Sequence, residues 1–292
     1  MPELPEVETV MRGLAPVMSG ARFIKVEARR PDLRIALPIQ FATRLKGACV
    51  QRLHRRAKYI LVELDSGDTL ALHLGMSGSM RIQAGKLSPT GRFYFARGAK
   101  GAHDHVVFDM SNGARIFYND PRRFGSMRLL KTTTIASDPA FAGLGEEPLD
   151  ERFDAARLAA LLAGRATSLK TALLDQRLIA GLGNIYVCEA LHRAALSPLR
   201  IAGSMSLVRG QPARKAAELV DAIKSVLRAA IAAGGSSLRD HRQIDGALGA
   251  FQHDFAVYDR KGRPCPRPAC VGVFERIVQY GRSTFYCPVC QR

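Results

Sequence analysis

The chain has 292 residues, 43 Lys plus Arg against 26 Asp plus Glu, a formal net charge of +17, 47% hydrophobic residues and no Trp. An ordinary apolar fraction excludes intrinsic disorder, and the lack of any apolar run near the roughly 20 residues that a bilayer demands excludes a helical membrane span. At roughly 150 residues per domain the length predicts two domains, and the basic excess predicts a polyanionic partner, most simply nucleic acid, unless Arg-rich coding alone produced it.

The opening, Met1-Pro-Glu-Leu-Pro-Glu, is acidic where a secretory signal needs a basic flank and an apolar segment, so a cytoplasmic protein is expected. Pro2 is small enough for Met1 to be removed, which would expose a secondary amine. An α-amino group titrates near pH ~8, so a neutral fraction is available to attack an electrophilic carbon such as a sugar C1′ and give an iminium. Glu3 beside it can protonate the sugar ring oxygen or organise the amine. Read without context, Pro-Glu is also an ordinary helix-start dipeptide. Residues 5 to 18 are helix-like, with Glu6 and Glu8 at the positive end of the dipole, apolar Val7, Val10, Met11 and Leu14, and Gly20 as a stop.

From about residue 22 to 131 the pattern changes to short apolar runs such as Tyr59-Ile-Leu-Val-Glu-Leu, Thr69-Leu-Ala-Leu-His-Leu and Val106-Val-Phe-Asp-Met, separated by turns at Asp65-Ser-Gly-Asp and Ser111-Asn-Gly. Such runs predict an antiparallel sandwich or barrel. Residues 136 to 150 read as a linker. Helical periodicity returns over 151 to 163, 168 to 175, 184 to 195 and 205 to 233. Before the third of these, Gly181-Leu-Gly-Asn184 forms a glycine-bearing turn with Asn184 as N-cap, whose exposed N–H groups suit a phosphate.

Cys49 and Cys188 stand alone and are expected to be small buried hydrophobes. The other four cysteines form two close pairs, Cys265 with Cys270 and Cys287 with Cys290, flanked by Pro264, Pro266, Pro268 and Pro288. In a reducing compartment this spacing predicts a four-thiolate zinc site rather than two disulfides. Between the pairs, residues 273 to 279 and 283 to 286 read as two strands, which puts Arg282 near the tip of a hairpin.

Six strings, in order along nearly the whole chain, resemble the formamidopyrimidine-DNA glycosylase family. They are Pro2-Glu-Leu-Pro-Glu-Val-Glu-Thr, Arg55-Arg-Ala-Lys58-Tyr, His73-Leu-Gly-Met76-Ser-Gly, Asp120-Pro-Arg-Arg-Phe124-Gly, Gly181-Leu-Gly-Asn184-Ile-Tyr and the terminal four-cysteine finger. The resemblance implies an α+β multidomain protein. Residues 1–135 would form a catalytic antiparallel β-sandwich with flanking helices, and 136–150 the linker. Residues 151–254 would form a helix–two-turns–helix DNA-binding domain with a lesion-recognition loop in 234–250, and 255–292 a zinc-finger hairpin. It implies a bifunctional base-excision-repair enzyme, acting as a monomer on double-stranded DNA that contains an oxidised purine such as 8-oxoguanine or a formamidopyrimidine.

In that reading Pro2 is the nucleophile that forms a Schiff base and Glu3 the proton donor, while Lys58 serves β-elimination and Arg282 δ-elimination. A base must be flipped out of the duplex to be excised. The resemblance gives Met76, Arg122 and Phe124 the vacated space, with Arg122 facing the orphaned cytosine. It gives His103, Arg123, Lys170 and Asn184 phosphate contacts, and Arg165 a further DNA contact. Cys265, Cys270, Cys287 and Cys290 hold one zinc ion.

Two departures stand out. The first finger pair is Cys-x4-Cys where many relatives have Cys-x2-Cys. Residues 86–102 look longer than the family's usual connection, and a mobile surface loop with an extra basic DNA contact is expected there. A sister family that acts on oxidised pyrimidines shares the Pro-Glu start but usually opens Pro-Glu-Gly-Pro-Glu-Ile, so Leu4 and Val7 favour the purine enzyme. Intact Pro2, Glu3 and Lys58 disfavour a non-catalytic DNA-binding relative.

Overall fold

The computed structural model describes residues 2–83, 101–208, 211–212, 214–236 and 250–292. Met1, most of the 86–102 segment and most of the 234–250 loop lie outside the described residues. The chain divides into two compact units, Met1–Ala142 with Ile231–Gln252, and Gly143–Ala230 with His253–Arg292.

The first unit opens with helix α1 (Leu4–Met18), whose buried Leu4, Val7, Val10, Leu14 and Met18 recur at helical spacing and pack on the sheet through β2. Then follow β1 (Phe23–Ala28), α2 (Phe41–Leu45), β2 (Val50–Arg56), β3 (Tyr59–Leu64), β4 (Asp68–His73), β5 (Ser79–Gln83), β6 (Asp104–Met110), β7 (Arg115–Asn119) and β8 (Ser126–Lys131). They form two four-stranded antiparallel sheets, ordered β1-β6-β7-β5 and β2-β3-β4-β8. Alternate residues of both sheets, among them Phe23, Ile60, Val62, Leu70, Leu72, Phe108, Ile116 and Met127, fill one core. Period-two burial from both sheets is what makes a sandwich.

The second unit contains α3 (Ala155–Leu162), α4 (Leu169–Leu174), α5 (Asn184–Arg193), the short pair β9 (Leu207–Val208) and β10 (Gln211–Pro212), α6 (Arg214–Ala232), and the hairpin β11 (Glu275–Gln279) with β12 (Arg282–Tyr286). Asp154 and Ser168 cap α3 and α4 by accepting from the N–H groups of Arg157 and Thr171. The helix expected over 205 to 233 is shorter: the chain passes through β9 and β10 and turns helical only at Arg214. Pro212 lacks the amide that a helix interior requires, which ends the run on its N-terminal side. Gly183, not Asn184, caps α5, and Asn184 is its first residue. Cys188 is buried as expected, whereas Cys49 is partly exposed. No described helix is long and apolar enough to cross a membrane.

One buried group fixes two turns of the sandwich. Asp120 is fully buried at the end of β7; its Oδ1 accepts from Ser77 Oγ at 2.5 Å, and its Oδ2 from the Gly125 N–H at 2.8 Å and Tyr118 Oη at 3.1 Å. Ser77 Oγ in turn accepts from the Arg122 N–H at 3.1 Å. The turn after β4 and the turn after β7 are thereby tied together, and they approach so closely that a Cβ on Gly75 would lie 2.3 Å from the Phe124 carbonyl carbon. Removing the acceptor strands three donors, each costing about 1–3 kcal/mol if left unpaired. Asp120→Ala should therefore lower stability by about 3 kcal/mol or more, and Tyr118→Phe, which removes one partner only, by about 1 kcal/mol. Denaturant midpoints of the two variants against the unchanged chain measure the difference.

Candidate active site and metal centre

The start of α1 is held from beneath. Glu3 and Glu6 are both buried, and Glu6 Oε2 accepts from the Glu3 backbone N–H at 2.8 Å. Its other oxygen, Oε1, accepts from the N–H of Ser236 at 2.8 Å and from Ser236 Oγ at 3.0 Å. Ser236 bridges to Ala250, so the root of the intervening segment is anchored on the same carboxylate that orients Glu3. Two residues along the helix, Glu8 accepts from Arg55 Nε of β2 at 3.0 Å, and the Arg55 guanidinium also reaches the Ala57 carbonyl at 2.9 Å. This pair draws the β2–β3 turn, where Ala57 sits at φ +51° and Lys58 is buried, against α1. Pro2, Glu3 and Lys58 thus belong to elements that pack on one another. His73, next in register to Tyr59, is held well below the usual imidazole value, at about 4, by burial and then by the Lys58 and Arg34 charges. Neutral His73 accepts the Gly75 N–H on Nδ1 at 3.0 Å, which orders the loop carrying Met76.

Met76 and Phe124 stand on the two turns that Asp120 joins, at 40% and 41% exposure, so neither belongs to the core. Arg122 stacks its guanidinium 4.9 Å from the Phe124 ring centroid, a cation–π contact that keeps both side chains at the same tip. Arg123 is exposed beside them with φ +57°. His103 is exposed as well, and its carbonyl accepts the Asp120 N–H at 3.1 Å. His105 is instead buried, with Nε2 2.9 Å from the Asp120 carbonyl, so it serves the framework. Burial, followed by the Asp120 carboxylate, pushes the Tyr118 phenol far above its usual range and keeps it a donor.

In the second unit, Arg165, Lys170 and Arg282 line one open depression of about 540 Å³ together with Arg177, Gln279 and Tyr280. Arg282 pairs with Gln279 across a two-residue turn, Tyr280-Gly281, in which both residues have positive φ, +47° and +73°. Such a turn matches the twist of the two strands and leaves Arg282 exposed at the tip. Lys170 is fully buried, its ammonium donating to the Ser283 carbonyl at 3.1 Å and to Thr284 Oγ1 at 2.6 Å. Asn184 Nδ2 donates to the same Ser283 carbonyl at 2.8 Å. Both side chains therefore brace the strand that carries Arg282.

The four terminal cysteines are free thiols whose sulfurs all lie within 4.8 Å of one another. Cys265 and Cys290 approach to 3.7 Å, and Cys270 and Cys287 to 3.6 Å. Tetrahedral coordination with Zn–S bonds of about 2.3 Å separates neighbouring sulfurs by about 3.8 Å, so the donor set and spacing fit that ion. A Cβ on Gly272 would fall 2.5 Å from Cys287 Sγ, which reserves the room the sulfur needs.

Sequence reasoning missed several groups that hold these residues. Ser77 and Asp120 lie inside quoted motifs without a role, Glu6 read only as a dipole partner, and Glu189 gave no signal at all. Glu189 is buried on α5 and accepts the N–H groups of Ala256, Val257 and Tyr258 at 2.9, 3.0 and 2.8 Å.

Residues 1–127 match the N-terminal domain of formamidopyrimidine-DNA glycosylase and residues 144–242 match its H2TH domain. A formamidopyrimidine-DNA glycosylase from Rhodopseudomonas palustris (strain BisB18) is 61% identical over 293 residues, covering 100% of both chains. The crystal structure of the MutM (Fpg) protein from Thermus thermophilus is similar with a TM-score of 0.81 and 39% identity, covering 99% of this chain and 98% of that one. A Lactococcus lactis Fpg mutant in complex with Fapy-dG-containing DNA gives a TM-score of 0.84 at 32% identity, covering 100% of both chains. The chain belongs to the formamidopyrimidine-DNA glycosylase family and is a DNA glycosylase that removes oxidised purines and has AP lyase activity.

Proposed function

We propose that the damaged base leaves through attack of the Pro2 amine on C1′ of a flipped nucleotide, once removal of Met1 has made Pro2 the first residue. The N–C1′ bond forms as the glycosidic bond breaks; that bond's electron pair departs with the base, which takes up the proton that the amine nitrogen sheds. Glu3 protonates the sugar ring oxygen, the ring opens, and the nitrogen lone pair completes an iminium. The iminium acidifies the C2′ proton. Lys58 serves the β-elimination that expels the 3′ phosphate, Arg282 serves the δ-elimination that expels the 5′ phosphate, and water then frees the amine.

The observation that carries this reading is the Glu6 carboxylate, which fixes the backbone of Glu3 from one oxygen and the root of the neighbouring loop from the other. Met76 and Phe124 fill the space left by the extruded base, and Arg122 bonds the unpaired cytosine; their exposure on braced turns suits that task. His103, Arg123, Arg165 and Asn184 position the DNA through its phosphates, which carry no sequence information; Lys170, expected to join them, is fully buried with its ammonium on Ser283 and Thr284, so it braces the finger strand instead of meeting a phosphate. The +17 charge and the Lactococcus lactis complex with Fapy-dG-containing DNA support a DNA duplex with an oxidised purine as the partner.

Cys265, Cys270, Cys287 and Cys290 hold one zinc ion, which supplies folding energy to a hairpin too small to be stable alone.

Borohydride is expected to trap a covalent adduct of the protein with an 8-oxoguanine:cytosine duplex, and the adduct should vanish in Pro2→Gly that retains Met1. Trapping that persisted with the amine blocked would overturn the nucleophile. Metal analysis is expected to return one zinc per chain. Stripping it with a chelator should abolish tight DNA binding while leaving the denaturation transition of the sandwich in place; a chelated protein that still bound DNA as before would contradict the structural role of the ion.

A further inference from the structure

The first knuckle of the finger, Cys265-Pro-Arg-Pro-Ala-Cys270, makes contact outside the finger through Arg267. The guanidinium of Arg267 donates to the carbonyls of His192 and Arg193, the last two residues of α5. The last turn of a helix leaves its carbonyls without donors from the helix itself; the His192 carbonyl also accepts the Ala195 N–H at 3.0 Å, and a cation there meets the negative end of the helix dipole. On the same turn, His192 is buried with its ring edge-on to Phe274, centroids 5.3 Å apart, and its Nε2 lies 3.5 Å from Cys265 Sγ. A metal-bound thiolate can only accept, so the ring nitrogen facing it must carry the hydrogen.

We propose that His192 is an outer-sphere residue of the four-thiolate site, donating Nε2–H to the Cys265 thiolate, while Arg267 clamps the same knuckle to the end of α5. Metal retention and the anchoring of the finger on α5 are then one event. A hydrogen bond to a coordinated sulfur lowers the energy of its lone pair and relieves negative charge at the metal, so the bond both strengthens retention and leaves a spectroscopic trace. The inference rests on the zinc reading given above.

The test uses the full chain, loaded with zinc for competition against a chromogenic chelator and with cobalt(II) for absorption spectra. His192→Phe keeps a ring against Phe274 and removes the donor; His192→Gln returns an N–H at the position of Nε2. Loss of an outer-sphere partner typically weakens a metal by about 10–100-fold, and that is the expected loss in His192→Phe. Its thiolate-to-cobalt band should move to lower energy, and His192→Gln should recover most of both effects. Arg267→Met should speed release of the metal and leave the band where it is. Should His192→Phe fail to fold, His192→Met against His192→Gln makes the same comparison. An unchanged chain that took up no metal would bring down the zinc reading itself. An unchanged chain that bound metal while the donor-free variants matched its affinity and its band would overturn the role of His192 alone.

Discussion

A carboxylate with no exposure of its own decides where the most exposed tips of the sandwich stand. Asp120 is removed from water, and such a group is tolerable only while its donors remain in place. Those donors come from the turn after β4, from β7 and from the turn after β7, so no one of them can shift without stranding the rest. Met76, Arg122 and Phe124 gain defined backbones although their side chains have little packing to order them. The entropy of holding an apolar tip in water is met by buried hydrogen bonds a few residues away rather than by contacts at the tip.

The second unit solves a comparable problem with a helix. Along α5, Asn184 braces Ser283, Cys188 enters the small apolar cluster of the finger with Phe274 and Phe285, Glu189 gathers three amides of residues 256 to 258, and the C-terminal turn receives Arg267. After α5, Ala195 and Leu196 accept from Arg292 and Gln291 of the second knuckle. The ten-residue helix and the residues just after it thereby meet the finger at both knuckles and at its hairpin. A module of about 38 residues could not bury enough surface to hold its own orientation; here the orientation of Arg282 is inherited from α5.

What the sequence disclosed follows from range. The cysteine pairs, the hairpin with Arg282 near its tip, the apolar stripe of α1 and the alternating strands are all local patterns with a fixed period or spacing, and each appears where expected. The over-long helix before Arg214 came from reading apolar periodicity across Pro212, where backbone chemistry overrides the pattern. The supporting groups were opaque for a different reason. Ser77 and Asp120 are 43 residues apart, and Glu6 and Ser236 are 230 apart. Nothing in the spacing of a single carboxylate says which distant amide it will accept. His192 was equally silent, since one histidine on an apolar helix face reads as core until the finger folds against it.

The exposed ring of Phe124 has a practical corollary. The chain contains no Trp, so an indole placed at that position would be the only one in the molecule. Its surroundings in the free protein are water on one side and the Arg122 guanidinium on the other. An aromatic swap at a half-exposed tip disturbs no packed core, so the emission of that single fluorophore would follow the approach of any partner to the tip, in real time and without a label.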